Sequence, residues 1–206
     1  MSPAREGALK KSLDLLARLH RPKDAMYGNA WRKRGEVLSI FCNIARKYDR
    51  LVVGLSPAEG PSEIESIADT AADLCIYAGK YLTWLAEVHP DAFDQIPPAP
   101  PSARCRADLG TPALDEVFQS LLQWEEGREE PGTLDECWAD VIRSFEDLER
   151  CLMALAAGGH ELPTTRVSLA WNLVRGSAWL FVRIGRNWPS QIEAIERAVR
   201  AAGTPL

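Results

Sequence analysis

The sequence predicts an all-α fold, a helical bundle, on three observations. Apolar residues recur at steps of three and four along nearly the whole chain, which lines one face of a helix. No alternating run of β-branched residues extends beyond a few positions, so nothing reads as a strand. Proline and glycine fall at the boundaries of the periodic stretches, where helices stop.

A first helix is expected near 8–20, with Leu9, Leu13, Leu16 and Leu19 on one face. Arg21-Pro22 ends it, since proline lacks the N–H and disfavours a helical residue before it. After a turn at Tyr27-Gly28-Asn29, a second helix is expected over about 30–54. Its stripe is Val37, Ile40, Phe41, Ile44, Tyr48, Leu51 and Leu55. Ser62 and Glu65 form a capping-box pattern opening a third helix that runs to about 88, where His89-Pro90 stops it. The six prolines between 90 and 112 predict a stiff, extended linker. Further helices are expected near 112–126, 134–157, 164–188 and 190–202.

The halves share a rhythm. Each has a short helix, a long helix, and a long helix ending at a proline. Aligning Leu74 with Leu173 places Pro90 on Pro189. That fits a degenerate internal duplication of a three-helix unit, and equally two unrelated halves with similar packing needs. The expected organisation is a unit over 1–90 carrying the site, a linker over 91–111, and a second, structural unit over 112–206 packed on the first.

The 206 residues are 46% hydrophobic and 26% charged, enough apolar material for a core. No window is long and apolar enough for a membrane span. Met1 to His20 intersperses Arg5, Lys10, Lys11 and Arg18 among leucines, so no secretion signal is read and a cytoplasmic location is expected. The five cysteines are odd in number, without a CxxC, and the three histidines lie far apart. Reduced thiols fit better than a zinc site. Charge is uneven: residues 1–56 carry 12 Lys/Arg against 5 Asp/Glu, 57–161 carry 6 against 22, and 162–206 carry 6 against 2. The whole chain does not read as a nucleic-acid binder. Basic ends against an acidic middle suit a site for a cation and an anion together, or plain charge balance.

Three features bear on chemistry. Glu65, Asp69 and Asp73 recur every fourth residue and so share a helical face. Like charges so spaced repel by about 0.2–0.5 kcal/mol per pair, and a divalent cation would reverse that sign; a solvated acidic face is the plainer reading. On the second helix Glu36, Asn43, Lys47 and Arg50 fall on one side, as a carboxylate and cations for a metal–phosphate group or as ordinary surface charge. Tyr27-Gly28-Asn29-Ala30-Trp31-Arg32-Lys33-Arg34 places cations and a tryptophan at a helix start, where anions are favoured. Trp31 either stacks on a base or anchors the core. No P-loop, Rossmann glycine pattern, GxSxG or HExxH occurs. Trp124, Trp138, Trp171, Trp179 and Trp188 suit core packing.

Together, Tyr27-Gly28-x-x-Trp31, Ala45-Arg46-Lys47-x-Asp49-Arg50-Leu51 and Asp69-Thr70-x-x-Asp73-Leu74-x-x-Tyr77 resemble the MazG-like, all-α nucleoside triphosphate pyrophosphohydrolases. The likeness is greatest to the phage-associated nucleotide modification associated domain branch, and covers about 27–85. It implies a bundle that holds Mg²⁺ (or Mn²⁺) with carboxylates from two helices and hydrolyses a nucleotide's phosphate chain. On that likeness Glu36, Asp69 and Asp73 are metal ligands, and Glu65 and Lys47 serve catalysis. Trp31, Arg46, Lys47, Arg50 and Tyr77 contact substrate. The family commonly has a paired ExxE where this chain has Glu36 followed by Ser39. The expected function is a Mg²⁺-dependent nucleotide pyrophosphohydrolase acting on a (deoxy)nucleoside triphosphate or related nucleotide. The alternative is a non-catalytic helical protein binding a nucleotide or a partner protein. Such family members often dimerise, so one chain imitating a dimer, or a homo-oligomer, is expected.

Overall fold

The structure, a computed structural model, describes residues 3–56, 66–96 and 99–202. Every regular element among them is helical. The four helices of the second half lie within one residue of their expected bounds: α6 (Thr111–Glu125), α7 (Leu134–Ala156), α8 (Pro163–Asn187) and α9 (Pro189–Ala201). The reasons are local. Thr133 and Glu136 close a capping box at the start of α7. Pro163 and Pro189 take first-turn positions, where a missing N–H costs nothing.

The first half departs from expectation in three places. Helix α1 spans Pro3–Tyr27 and passes through Pro22 instead of ending there. Proline inside a helix costs about 3 kcal/mol. Tertiary contacts on the turn beyond it offset that cost: Lys23 reaches Asp73, and Asp24 accepts from Lys80 and Thr111. The expected second helix is broken. A 3₁₀ turn (Gly28–Arg32) leads to Gly35, whose φ of 82° suits only glycine well, and then to π-helical turns over Glu36–Phe41. Only then does α2 (Cys42–Gly54) begin. Helix α3 (Ile67–Val88) is capped by Ser66; the expected cap at Ser62 and Glu65 lies outside the described residues.

The proline-rich stretch is not an extended spacer. It forms α4 (Pro90–Phe93), α5 (Ser102–Cys105) and a 3₁₀ turn at Ala107–Leu109. Phe93 and Cys105 are fully buried, because these short helices pack on α3, α6 and α8.

Helices α3 and α8 form the centre of the bundle and make its most extensive packing, with Leu74, Leu82, Leu173 and Leu180 buried between the layers. Several other pairings repeat when the halves are exchanged. Helix α2 packs on α3 as α7 packs on α8; α1 packs on α8 as α6 packs on α3; α4 packs on α8 as α9 packs on α3. Helices α1 and α6 pack on each other. The stops also match: His89 (φ −137°, ψ 54°) and Trp188 (φ −130°, ψ 68°) precede Pro90 and Pro189 in nearly the same conformation. Across the far side, the Phe145 ring of α7 stacks on Tyr48 at 3.8 Å and Phe41 at 5.6 Å. No helix among the described residues is long and apolar enough to cross a membrane.

Candidate functional site

Polar residues of α3 stand in one row, Asp69, Asp73, Tyr77 and Lys80, at steps of four, four and three. The last three open on a cavity of about 390 Å³, which α1 lines with His20 and Lys23, and which Trp31 and Asn43 close. The volume suits a small ligand.

Asp73 is the centre of this cavity. Its Oδ1 accepts from Lys23 Nζ and its Oδ2 lies by Lys47 Nζ, both at 2.8 Å. Burial pushes its carboxyl pKa up, but the charges and hydrogen bonds of Lys23 and Lys47 outweigh burial and hold it below the usual value. A turn further on, Lys80 Nζ sits 3.0 Å from Asp24 Oδ1 and 5.0 Å from the centre of the Trp31 ring. Burial lowers the Lys80 pKa, partly offset by Asp24. His20, 3.6 Å from Asp24, is pushed down to about 4 by burial and by the Lys80 charge. It is therefore neutral near pH 7. Among the described residues, Lys23, Asp73 and Lys80 thus line the cavity beside the Trp31 indole, and Lys47 and Asp24 pair with these lining residues.

Glu36 belongs to a different network. Arg166 Nη1 donates to its Oε2 at 2.6 Å, and the Tyr81 hydroxyl donates to its Oε1. Arg166 Nη2 lies 3.0 Å from His89 Nε2. Burial and the adjacent Glu36 raise the Tyr81 pKa well above its ordinary value. This buried group ties the first half to the second.

Of the expected metal ligands, Glu36 has both oxygens engaged away from the cavity. Asp69 serves the start of α3: its N–H donates to Ser66 Oγ at 2.9 Å, and its Oδ2 accepts from that hydroxyl at 2.6 Å. Asp73 lies between two ammonium groups, which repel a cation. No three metal-binding side chains converge among the described residues. As placed, Glu36, Asp69 and Asp73 are each engaged by other groups, so a shared Mg²⁺ or Mn²⁺ site would require them to exchange these partners.

Of the expected substrate contacts, Trp31 and Tyr77 line the cavity and Lys47 borders it through Asp73. Trp31 is only 8% exposed, so it anchors the core and forms the cavity wall at once. Arg46 is exposed and donates to Asn43 Oδ1, while Arg50 is exposed on α2. Glu65 lies outside the described residues. The pattern reading missed His20, Lys23, Asp24 and Lys80. Lys80 had a signal, since it continues the row of Asp73 and Tyr77. The other three come from the turns of α1 around and beyond Pro22, where a helix stop was expected. Compared with known protein families, curated proteins and solved structures, this chain matches none.

Proposed function

We propose that the cavity between α1 and α3 binds a phosphorylated ligand of the nucleotide class. One observation carries this reading: Lys23 and Lys80 line the cavity with Trp31, the Lys80 ammonium 5.0 Å from the centre of its ring, and Lys47 reaches the same cavity through Asp73. Lysine binds phosphate as a point charge, and an indole offers a base a stacking partner. Asp73 holds two of the lysines in place until an anion shares them. The resemblance to nucleotide hydrolases in this same segment agrees with the ligand class.

Isothermal titration of the full chain with AMP and ATP in EDTA tests it. Lys23→Ala and Lys47→Ala are each expected to weaken binding about tenfold or more, since a charge-assisted contact contributes roughly 1.5–3 kcal/mol. Absence of saturable binding, or binding untouched by either substitution, refutes it.

A second reading, Mg²⁺- or Mn²⁺-dependent pyrophosphohydrolysis, draws on the alignment of Asp69 and Asp73 one turn apart on α3. It requires both side chains to exchange their present partners. Metal-dependent pyrophosphate release that Asp73→Ala abolishes would establish it; nucleotide binding without turnover would leave the first reading alone.

A further inference from the structure

We infer that the second half carries its own ligand site, a cavity against α8 that takes an acceptor-rich anion of the phosphate class without a divalent cation. The cavity holds about 300 Å³ and is lined by Trp124, Arg128, Ser168, Trp171, Asn172 and Arg175.

Its position follows from the exchange of halves. In the register that places Leu74 on Leu173, Asp73 corresponds to Asn172, Ile76 to Arg175 and Lys80 to Trp179. The partner on the neighbouring helix corresponds too. Asp24 of α1 accepts from Lys80 at 3.0 Å, and Glu125 of α6 accepts from Trp179 Nε1 at 3.2 Å. The two cavities therefore share two corresponding positions of the central helices, Asp73 with Asn172 and Ile76 with Arg175, each cavity near a carboxylate that fixes a donor of that helix.

The lining differs in sign from its counterpart. Among the described residues no carboxylate lines it. It offers two guanidinium groups, a hydroxyl and a carboxamide, with the Trp171 indole beside them. Glu125 stands behind Arg175, with its oxygens taken by Arg175 Nε at 2.5 Å and by Trp179. Arg128 lies flat on Trp124, 3.6 Å from the ring centre, and its Nε donates to the Trp124 carbonyl at 2.8 Å. Both guanidinium groups are thus held through Nε or the ring face. That leaves the Nη edges, the ones that grip phosphate in pairs, without a protein partner among the described residues.

An independent observation points to an acceptor. Trp171 is 4% exposed, and its buried Nε1–H has no partner among the described residues. An orphaned buried donor costs about 1–3 kcal/mol and is rare in native proteins. Trp171 lines this cavity, and a phosphate oxygen that enters beside its indole edge would satisfy that donor. A hard cation finds no anionic ligand in the lining.

The experiment is indole ¹⁵N–¹H NMR of the full chain in EDTA, with the Trp171 signal assigned by Trp171→Phe. Inorganic phosphate, pyrophosphate and AMP are titrated separately, with sodium chloride at matched ionic strength as control. A saturable downfield shift of the Trp171 signal is expected with at least one of them. Arg128→Gln should weaken it at least fivefold, and Lys47→Ala should leave it unchanged. A response to all three probes identifies phosphate itself as the ligand group; a response to AMP alone identifies a nucleotide. Arg175→Gln risks the fold by orphaning Glu125, so Asn172→Leu is the second lining variant, and it should also weaken the shift. No saturable shift with any probe, or a shift that Arg128→Gln and Asn172→Leu leave intact, overturns the inference. Loss of the first cavity's binding in Lys47→Ala with this response retained separates the two sites.

Discussion

Replacing Arg166 by methionine removes the charge that balances Glu36 while keeping much of the side-chain volume. Arg166 is 5% exposed and the Glu36 side chain 10% exposed, so water cannot take over the lost contact. Glu36 would keep only the Tyr81 hydroxyl. Breaking a buried ion pair from one side costs about 3–5 kcal/mol, because an uncompensated charge stays in the interior. In a protein of this size, each kcal/mol lowers the melting temperature by about 2–4 °C, so a fall of roughly 6–20 °C is expected. The double variant Glu36→Gln with Arg166→Met removes the stranded charge and should recover most of the loss. Urea denaturation followed by far-UV circular dichroism measures both, and the cycle gives the coupling directly. A single-variant loss below about 1 kcal/mol would refute the reasoning. So would a double variant as unstable as the sum of the two singles, since contacting partners must couple.

Three further outcomes follow. His20 has a folded-state pKa of about 4 against an ordinary 6.5, so its contribution to stability is present above pH 6.5 and is lost as pH falls toward 4. The shift corresponds to roughly 3 kcal/mol. His20→Leu should flatten stability between pH 6.5 and 4.5 relative to the wild type in urea titrations, and parallel curves would contradict this. Asp73 acts in a lower window, because its depressed pKa makes its contribution disappear only as pH falls below the usual carboxylate value. A chain truncated after Ile96 exposes the α3 surface that α8 covers, and should aggregate or dimerise in sedimentation velocity. A folded monomer would show that the first half completes its own core.

The long helices of the second half, and the buried faces of the first, were readable from sequence because helix periodicity and capping are local. Leu9, Leu13 and Leu16, or Val141, Phe145, Leu148 and Leu152, show a buried face by spacing alone, and each is at most 3% exposed. Pro163 and Pro189 mark starts for reasons contained within one turn. The expected duplication rhythm came from the same spacings. Its packing counterpart, α3 crossed on α8 with α1 and α6 exchanged between halves, required contacts between residues about a hundred positions apart. Partnership was the part that sequence could not decide. Glu36, Asp69 and Asp73 are all carboxylates on helices. Only the folded chain assigns one to Arg166 and Tyr81, one to its own helix cap, and one to Lys23 and Lys47. The fate of Pro22 turned on the same kind of information. Its local cost is fixed by the proline ring, but contacts from Asp73, Lys80 and Thr111, 50 or more residues away, keep α1 helical past it. Local sequence sets what a segment prefers; distant side chains, brought within 3 Å or so by the bundle, decide whether it obeys and which charge it meets.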